Sequence, residues 1–315
     1  MSTLPTTNQS FTWSALQNMD QIRSHTPIIP YKGKLYIFGG GGLDFKSLDS
    51  TAVYDPNTDS WEQRSPMPTK RSGTIGCLVN DRIYIIGGGF KKPDGMFQFL
   101  HTVEIYDPNT DSWESGPDML APHDYPGGLY MGNHIYILGG HHPDATTSGP
   151  KTDPGFEFCE RLDLTTNKWE QIAPLPTPRF ALSAVNLNGK LLTMGGVAFT
   201  PEGFNNFTVI EAYDDKTNTW ETLTDLALPW TAAGQGNVVI DDQLYIFGGY
   251  SGDGIHPGAA YFDKESKQWT QLPDIPAARA AMGITEMDGR IYILGGWEDD
   301  GRTPIDTLFA LSPAS

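Results

Sequence analysis

Residues 83–113 read IYIIGGGFKKPDGMFQFLHTVEIYDPNTDSW. An apolar run of four, Ile83–Ile86 with Tyr84 inside it, stops at Gly87-Gly88. A longer polar and aromatic stretch follows, then Tyr106-Asp107, a turn-forming PNTDS and Trp113. The apolar run has the length and the Ile/Tyr content of a buried strand, and PNTDS has the composition of a hairpin turn. The same order recurs along the chain. Gly-Gly pairs stand at 39-40, 87-88, 139-140, 195-196, 248-249 and 295-296, each preceded by a tryptophan: Trp13, Trp61, Trp113, Trp169, Trp220 and Trp269. The Trp-to-Gly separations are 26, 26, 26, 26, 28 and 26 residues. A fixed internal rhythm with a period of about fifty residues marks one structural unit used repeatedly.

Each unit reads as four antiparallel strands: a first strand a, the Gly-Gly strand b, an aromatic-Asp strand c and the Trp strand d. Strand c carries Tyr54-Asp55, Tyr106-Asp107, Leu162-Asp163, Tyr213-Asp214 and Phe262-Asp263. No helical periodicity competes. Four-stranded sheets repeated around an axis give an all-β propeller, here of six blades. The last unit stops after a degraded strand c at 307–311, while the first begins with an orphan Trp strand, Phe11-Thr12-Trp13-Ser14. The N-terminal strand is therefore expected to complete the last blade and remove an exposed edge. The expectation is a single domain over 1–315, with residues 1–9 a loose tail.

Composition narrows the partners. The chain has 315 residues, Gly 35, Pro 24 and a formal net charge of −17. That charge argues against nucleic acid, whose backbone needs clustered Lys and Arg. No segment approaches the ~20 apolar residues of a membrane span. The start, MSTLPTTNQSFTWSALQ, has no basic stretch followed by an apolar run, so no secretory signal and a cytoplasmic location are expected. Cys77 and Cys159 fall at unrelated repeat positions and read as free thiols, with one disulfide left open. Asn8-Gln9-Ser10 and Asn206-Phe207-Thr208 match the glycosylation pattern, read as chance without a signal.

The Gly-Gly, the aromatic-Asp pair and the Trp, in register over about residues 10 to 311, closely resemble the kelch repeat. The resemblance implies a six-bladed kelch propeller in which the start of strand a lies near one mouth of the central channel. Sixteen residues before each Gly-Gly stand Arg23, Arg71, His123, Arg179 and Arg279. The fifth unit carries a two-residue insertion and offers Ala232 by register or Trp230 by its place after Pro229. These arginines either satisfy carbonyls between blades or converge on a carboxylate or phosphate, which guanidinium forks match. By resemblance the b–c loops open on the same face. They are long, dissimilar and rich in rings, among them Phe90, Tyr250 and Trp297.

Two uses follow. The first is a small-molecule site at the mouth: Arg23, Arg71, Arg179 and Arg279 would hold an anionic or aromatic ligand, with Trp230, Phe180, His141, Phe90, Tyr250 and Trp297 around it. His123, His142 and Tyr125 would supply acid–base chemistry for a cofactor-independent isomerase, epimerase or cyclase. The second is a protein-interaction module gripping an acidic peptide, the commonest use of kelch propellers. The sequence has no adaptor domain of the kind such proteins often carry, and unequal aromatic loops suit a walled pocket. No cofactor is expected. His141-His142 matches no recognised metal spacing, so no metal is expected either. The cross-linked Cys-Tyr pair of kelch-type copper-radical oxidases and the regularly spaced Glu, Asp and His of iron-dependent kelch proteins are both missing. Exported sialic acid mutarotases share the architecture, but this sequence lacks their export signal.

Overall fold

The computed structural model describes residues 10–145, 152–298 and 303–314. Among these, six four-stranded antiparallel sheets form the blades: residues 28–64, 75–115, 127–172, 183–222 and 236–272, and a sixth of 283–313 joined by Phe11–Leu16. Blade 1 shows the pattern, with strands a to d at Ile28–Tyr31, Lys34–Phe38, Thr51–Asp55 and Ser60–Arg64. The a strands of successive blades touch in the closed order 1-2-3-4-5-6-1 and so line the channel. Six hydrophobic clusters, one between each neighbouring pair of blades, form most of the core of the described residues, with a smaller one at Phe180, Val197 and Ala233.

The closure reading holds. Phe11–Leu16 pairs antiparallel with Leu308–Pro313, placing Trp13 opposite Leu311, and its ring meets Phe247 of blade 5 edge-on at 6.1 Å. The repeated signals have local causes. The Asp55 carboxylate accepts the Asn57 N–H at 3.0 Å, turning the chain, and Asp59 takes the left-handed conformation at φ 48. The buried Tyr54 hydroxyl donates to Asp59 at 2.6 Å, and Tyr106 repeats this with Asp111. Each repeat tryptophan donates its indole N–H to a carbonyl of the preceding blade, as Trp61 does to Gln17 across the closure at 2.9 Å. That half-buried ring and its tied N–H explain why the residue is always Trp.

Two of the b–c loops are more regular than their irregular sequences suggest. Gly89–Lys91 pairs with Phe97–Phe99, and Val197–Thr200 with Gly203–Asn206, as short hairpins above the blades. Leu43–Phe45 makes one 3-10 turn. Cys77 and Cys159 are both buried and unpaired, and burial pushes each thiol up to about 12. No helix among the described residues is long and apolar enough to cross a membrane. The expected N-terminal tail, residues 1–9, lies outside the described residues.

Candidate functional site at the channel mouth

The residues sixteen before the Gly-Gly pairs act on those glycines. Arg23 donates to the Gly39 carbonyl at 3.0 Å, Arg71 to Gly87 at 3.1 Å, His123 to Gly139 at 2.6 Å and Arg279 to Gly295 at 3.1 Å. In blade 5 the insertion divides the job. The Ala232 carbonyl takes the arginine's backbone place, accepting from Gly196 N–H at 2.8 Å, while the Trp230 indole donates to Gly248 at 3.0 Å. Arg179 instead bonds Glu211 at 2.6 Å and Thr193 at 2.9 Å. Buried carboxylates accompany three of the six: Glu104 for Arg71, Glu160 for His123 and Glu211 for Arg179. Arg23 and Arg279 have none in that place, and burial pushes both guanidinium groups down to about 10. All four arginines and His123 are sealed from solvent, at 0–1% exposure.

Two residues further on, a second ring closes around the axis. His25 N–H donates to the Ala281 carbonyl at 2.7 Å, Gly73 to His25 at 3.2 Å, Tyr125 to Gly73 at 3.1 Å, Ala181 to Tyr125 at 2.9 Å, Gly234 to Ala181 at 2.9 Å and Ala281 to Gly234 at 2.6 Å. All six residues sit at positive φ, between 51 and 66. A left-handed residue in each blade turns its N–H and C=O to the two neighbouring blades, which makes a closed hoop of hydrogen bonds possible. A cavity of about 160 Å³ in the channel is lined by the hoop residues together with Thr74 and Gln235.

Above the hoop runs a chain of rings contributed by different blades. Trp297 meets His25 at 4.4 Å and His25 meets Tyr125 at 4.3 Å, both edge-on. Tyr125 meets His141 at 5.3 Å, and His141 stacks on Phe180 at 3.9 Å. The chain continues through Phe199 and Phe204 to Tyr250, and from Trp297 back through Phe45 to Phe97. Edge-to-face and offset contacts of this kind hold rings in place as well as burying them.

Charge is concentrated beside His141. The fully buried Asp153 accepts from His141 Nδ1, from His142 N–H at 3.1 Å and from Gly155 N–H at 3.0 Å. Burial pushes the Asp153 carboxyl up, but the His141 hydrogen bond and charge with the two N–H groups outweigh it and hold it below the usual carboxylate range. Asp124 goes the other way. Burial, then repulsion from Asp153, push its carboxyl well above that range, and its Oδ1 has no hydrogen-bond partner. Burial also raises the Tyr125 phenol, which stays neutral, and pushes His25 down to about 3 with help from the His141 charge.

Comparison with known proteins agrees with this architecture. The chain matches the Attractin/LZTR1 beta-propeller family over residues 5–257. It belongs to that family. It is 29% identical over 273 residues to the Kelch-like protein terF of Aspergillus terreus, and 28% identical over 244 residues to the human Kelch-like protein 15. Those matches cover 84% and 70% of this chain but only 56% and 37% of the relatives, so it spans about half of their length or less. The structure of YjhT shares the fold, with a TM-score of 0.73, 17% identity and coverage of 93% and 95% of the two chains.

In this member of the Attractin/LZTR1 beta-propeller family, the residues singled out by spacing separate into two groups. Arg23, Arg71, Arg179, Arg279, His123 and Trp230 hold blade backbone, and each guanidinium is engaged within its own repeat. Tyr125, Phe180, His141, Tyr250 and Trp297 join the ring chain at the mouth. Phe90 stands apart beneath the Lys70 ammonium, 5.5 Å from its centroid. His142 is half-exposed, with Nδ1 3.7 Å from Asp144. His25 and Asp153 escaped the sequence reading. His25 was findable as the residue two after the first arginine; Asp153 lies in an irregular loop with no register to mark it.

Proposed function

We propose that the chain binds a small, flat, largely apolar molecule at the channel mouth, against Trp297, His25, Tyr125, His141 and Phe180. The observation that carries this reading is the unbroken run of five rings from four blades across one opening, with an unpartnered buried carboxyl oxygen on Asp124 beside it. Apolar walls with a few fixed polar groups are the usual make-up of a small-molecule site. Buried guanidinium groups leave an anion no partner there, so the reading favours a neutral ligand. Native mass spectrometry of the purified chain, followed by thermal-shift screening of aromatic compounds, tests it. A ligand whose shift disappears in Trp297→Ala and Phe180→Ala supports the site, and a panel without any shift sinks it.

A second reading, a docking rim for a protein partner, draws on the exposure of Leu43 (56%) and Phe45 (39%). Kelch-like relatives longer than this chain favour it too. A partner lost with Phe45→Asp but kept with Trp297→Ala would identify the rim rather than the mouth.

A further inference from the structure

The rings at the mouth hold an arrangement with a chemical direction. Asp153 is pinned by the N–H groups of His142 and Gly155, and its own backbone pairs twice with Phe199, at 2.7 and 2.8 Å. It accepts from His141 Nδ1, which in the neutral imidazole leaves Nε2 as the basic nitrogen, while the protonated ring is the charge that lowers Asp153 and His25. Phe180 supports the imidazole face at 3.9 Å and Tyr125 its edge at 5.3 Å, so the ring cannot swing away. Tyr125 is itself held on its other side by His25. A fixed base and a neutral phenol thus stand side by side at the opening. Two nearby histidines lack this setting: His123 is sealed between Gly139 and Glu160, and the polar partner of the His142 ring is the exposed Asp144.

We propose that His141 and Tyr125 form a proton-transfer pair acting on an enolisable aromatic carbonyl compound, with Asp153 as the positioning residue. The inference rests on the mouth being the ligand site. Nε2 of His141 takes a proton from the carbon next to the carbonyl. The C–H pair becomes the new C=C bond, and the carbonyl π pair moves onto oxygen, which accepts the Tyr125 hydroxyl hydrogen bond. The imidazolium formed is stabilised by Asp153. It returns the proton to a conjugated carbon on the same face, giving an isomer, or to the same carbon, giving exchange without net change, and no oxidant or reductant is consumed. Holding a carboxylate against the base and a neutral donor against the oxygen is the division of labour such a step needs.

Phenylacetone in deuterium oxide is the probe. Proton NMR follows exchange of its enolisable hydrogens, and saturation-transfer NMR reads its binding. The full chain is expected to accelerate exchange over buffer. His141→Gln and Tyr125→Phe should each lower that acceleration by about a hundredfold while saturation transfer persists. Asp153→Asn should lower kcat with KM little changed, a split that general loosening of the fold would not produce. Circular dichroism checks folding, and Tyr125→Phe, which keeps its ring, carries the test if His141→Gln does not fold. Saturation transfer without exchange overturns the proton-transfer pair and leaves the binding site standing. Exchange indifferent to both variants overturns the pair as well, and neither signal overturns pair and site together.

Discussion

Two rings of residues, two positions apart in five repeats and four apart in the fifth, where Trp230 stands in, solve opposite problems. In the outer ring, Arg23, Arg71, His123, Arg179, Trp230 and Arg279 differ in size and charge, yet five of the six donate to the same glycine carbonyl. In the inner hoop, His25, Gly73, Tyr125, Ala181, Gly234 and Ala281 share one backbone state and one hydrogen-bond pattern, yet their side chains have nothing in common. Where side chains repeat a bond, the fold is using them. Where only the backbone repeats, side chains are free to vary, and the rings of His25 and Tyr125 take that freedom at the mouth.

Both rings depend on closure, so the largest effect should come from removing residues 10–16. This leaves Leu308–Pro313 as an open edge, strips Trp13 from Phe247 and takes away the strand that positions Gln17, the carbonyl partner of Trp61. Loss of a cooperative thermal transition by circular dichroism is the expected outcome, and an unchanged transition would reject the shared dependence. The next effects belong to the outer ring alone. Arg179→Ala abandons Glu211, which is fully buried, and should cost about 3–5 kcal/mol. Arg279→Met abandons no carboxylate, only the Gly295 and Ala277 carbonyls and the Thr307 hydroxyl, for about 1–3 kcal/mol. Urea unfolding ranks the two. A variant of either arginine that kept full stability but lost ligand binding would move the outer ring from scaffold to site.

The hoop should reveal itself through pH. The His25 pKa is about 3 in the folded chain against an ordinary 6.5, so between these values the unfolded chain holds a proton that the folded chain refuses. His25 therefore contributes no penalty above pH 6.5 and destabilises increasingly as pH falls towards 3. The slope cannot exceed one proton, about 1.4 kcal/mol per pH unit. Comparing urea unfolding of the parent and His25→Gln at several pH values isolates this group, because the carboxylates are common to both. Parallel curves would mean that His25 is solvated in the folded state.

The blade count, the closure and the Trp230/Ala232 alternatives were legible because each repeats or breaks a rhythm that backbone geometry imposes. The roles of the arginines were not settled by spacing, since a side chain sixteen residues before a glycine can point to a carbonyl or to the channel. The structure decides this through burial: every guanidinium is sealed in, and it bonds the glycine carbonyl in Arg23, Arg71 and Arg279 and the buried Glu211 in Arg179. The His141–Asp153 pair was illegible for a different reason. Its partners are twelve residues apart in a loop of unique length, and nothing periodic aligns them. Phe199, which anchors Asp153 through two backbone bonds, sits in a hairpin that the alternation of VAFT and GFNN barely announces.

The smallest expected effect is also the sharpest test of the comparison. Ala281 holds φ at 56 only to keep its N–H and C=O in the hoop. A left-handed alanine is strained by roughly 1–2 kcal/mol relative to a right-handed one, a strain glycine does not feel. Glycine also gives the unfolded chain more freedom, which takes back about 0.4–1 kcal/mol. Ala281→Gly should therefore leave stability unchanged or raise it by up to about 1.6 kcal/mol in urea unfolding. Gly234→Ala should do the reverse, because its new methyl would lie 3.0 Å from the Ala281 nitrogen as well as at positive φ. If Ala281→Gly instead destabilises, the methyl group itself is packed for stability. The hoop would then be built by side chains after all, and the distinction from the outer ring would collapse.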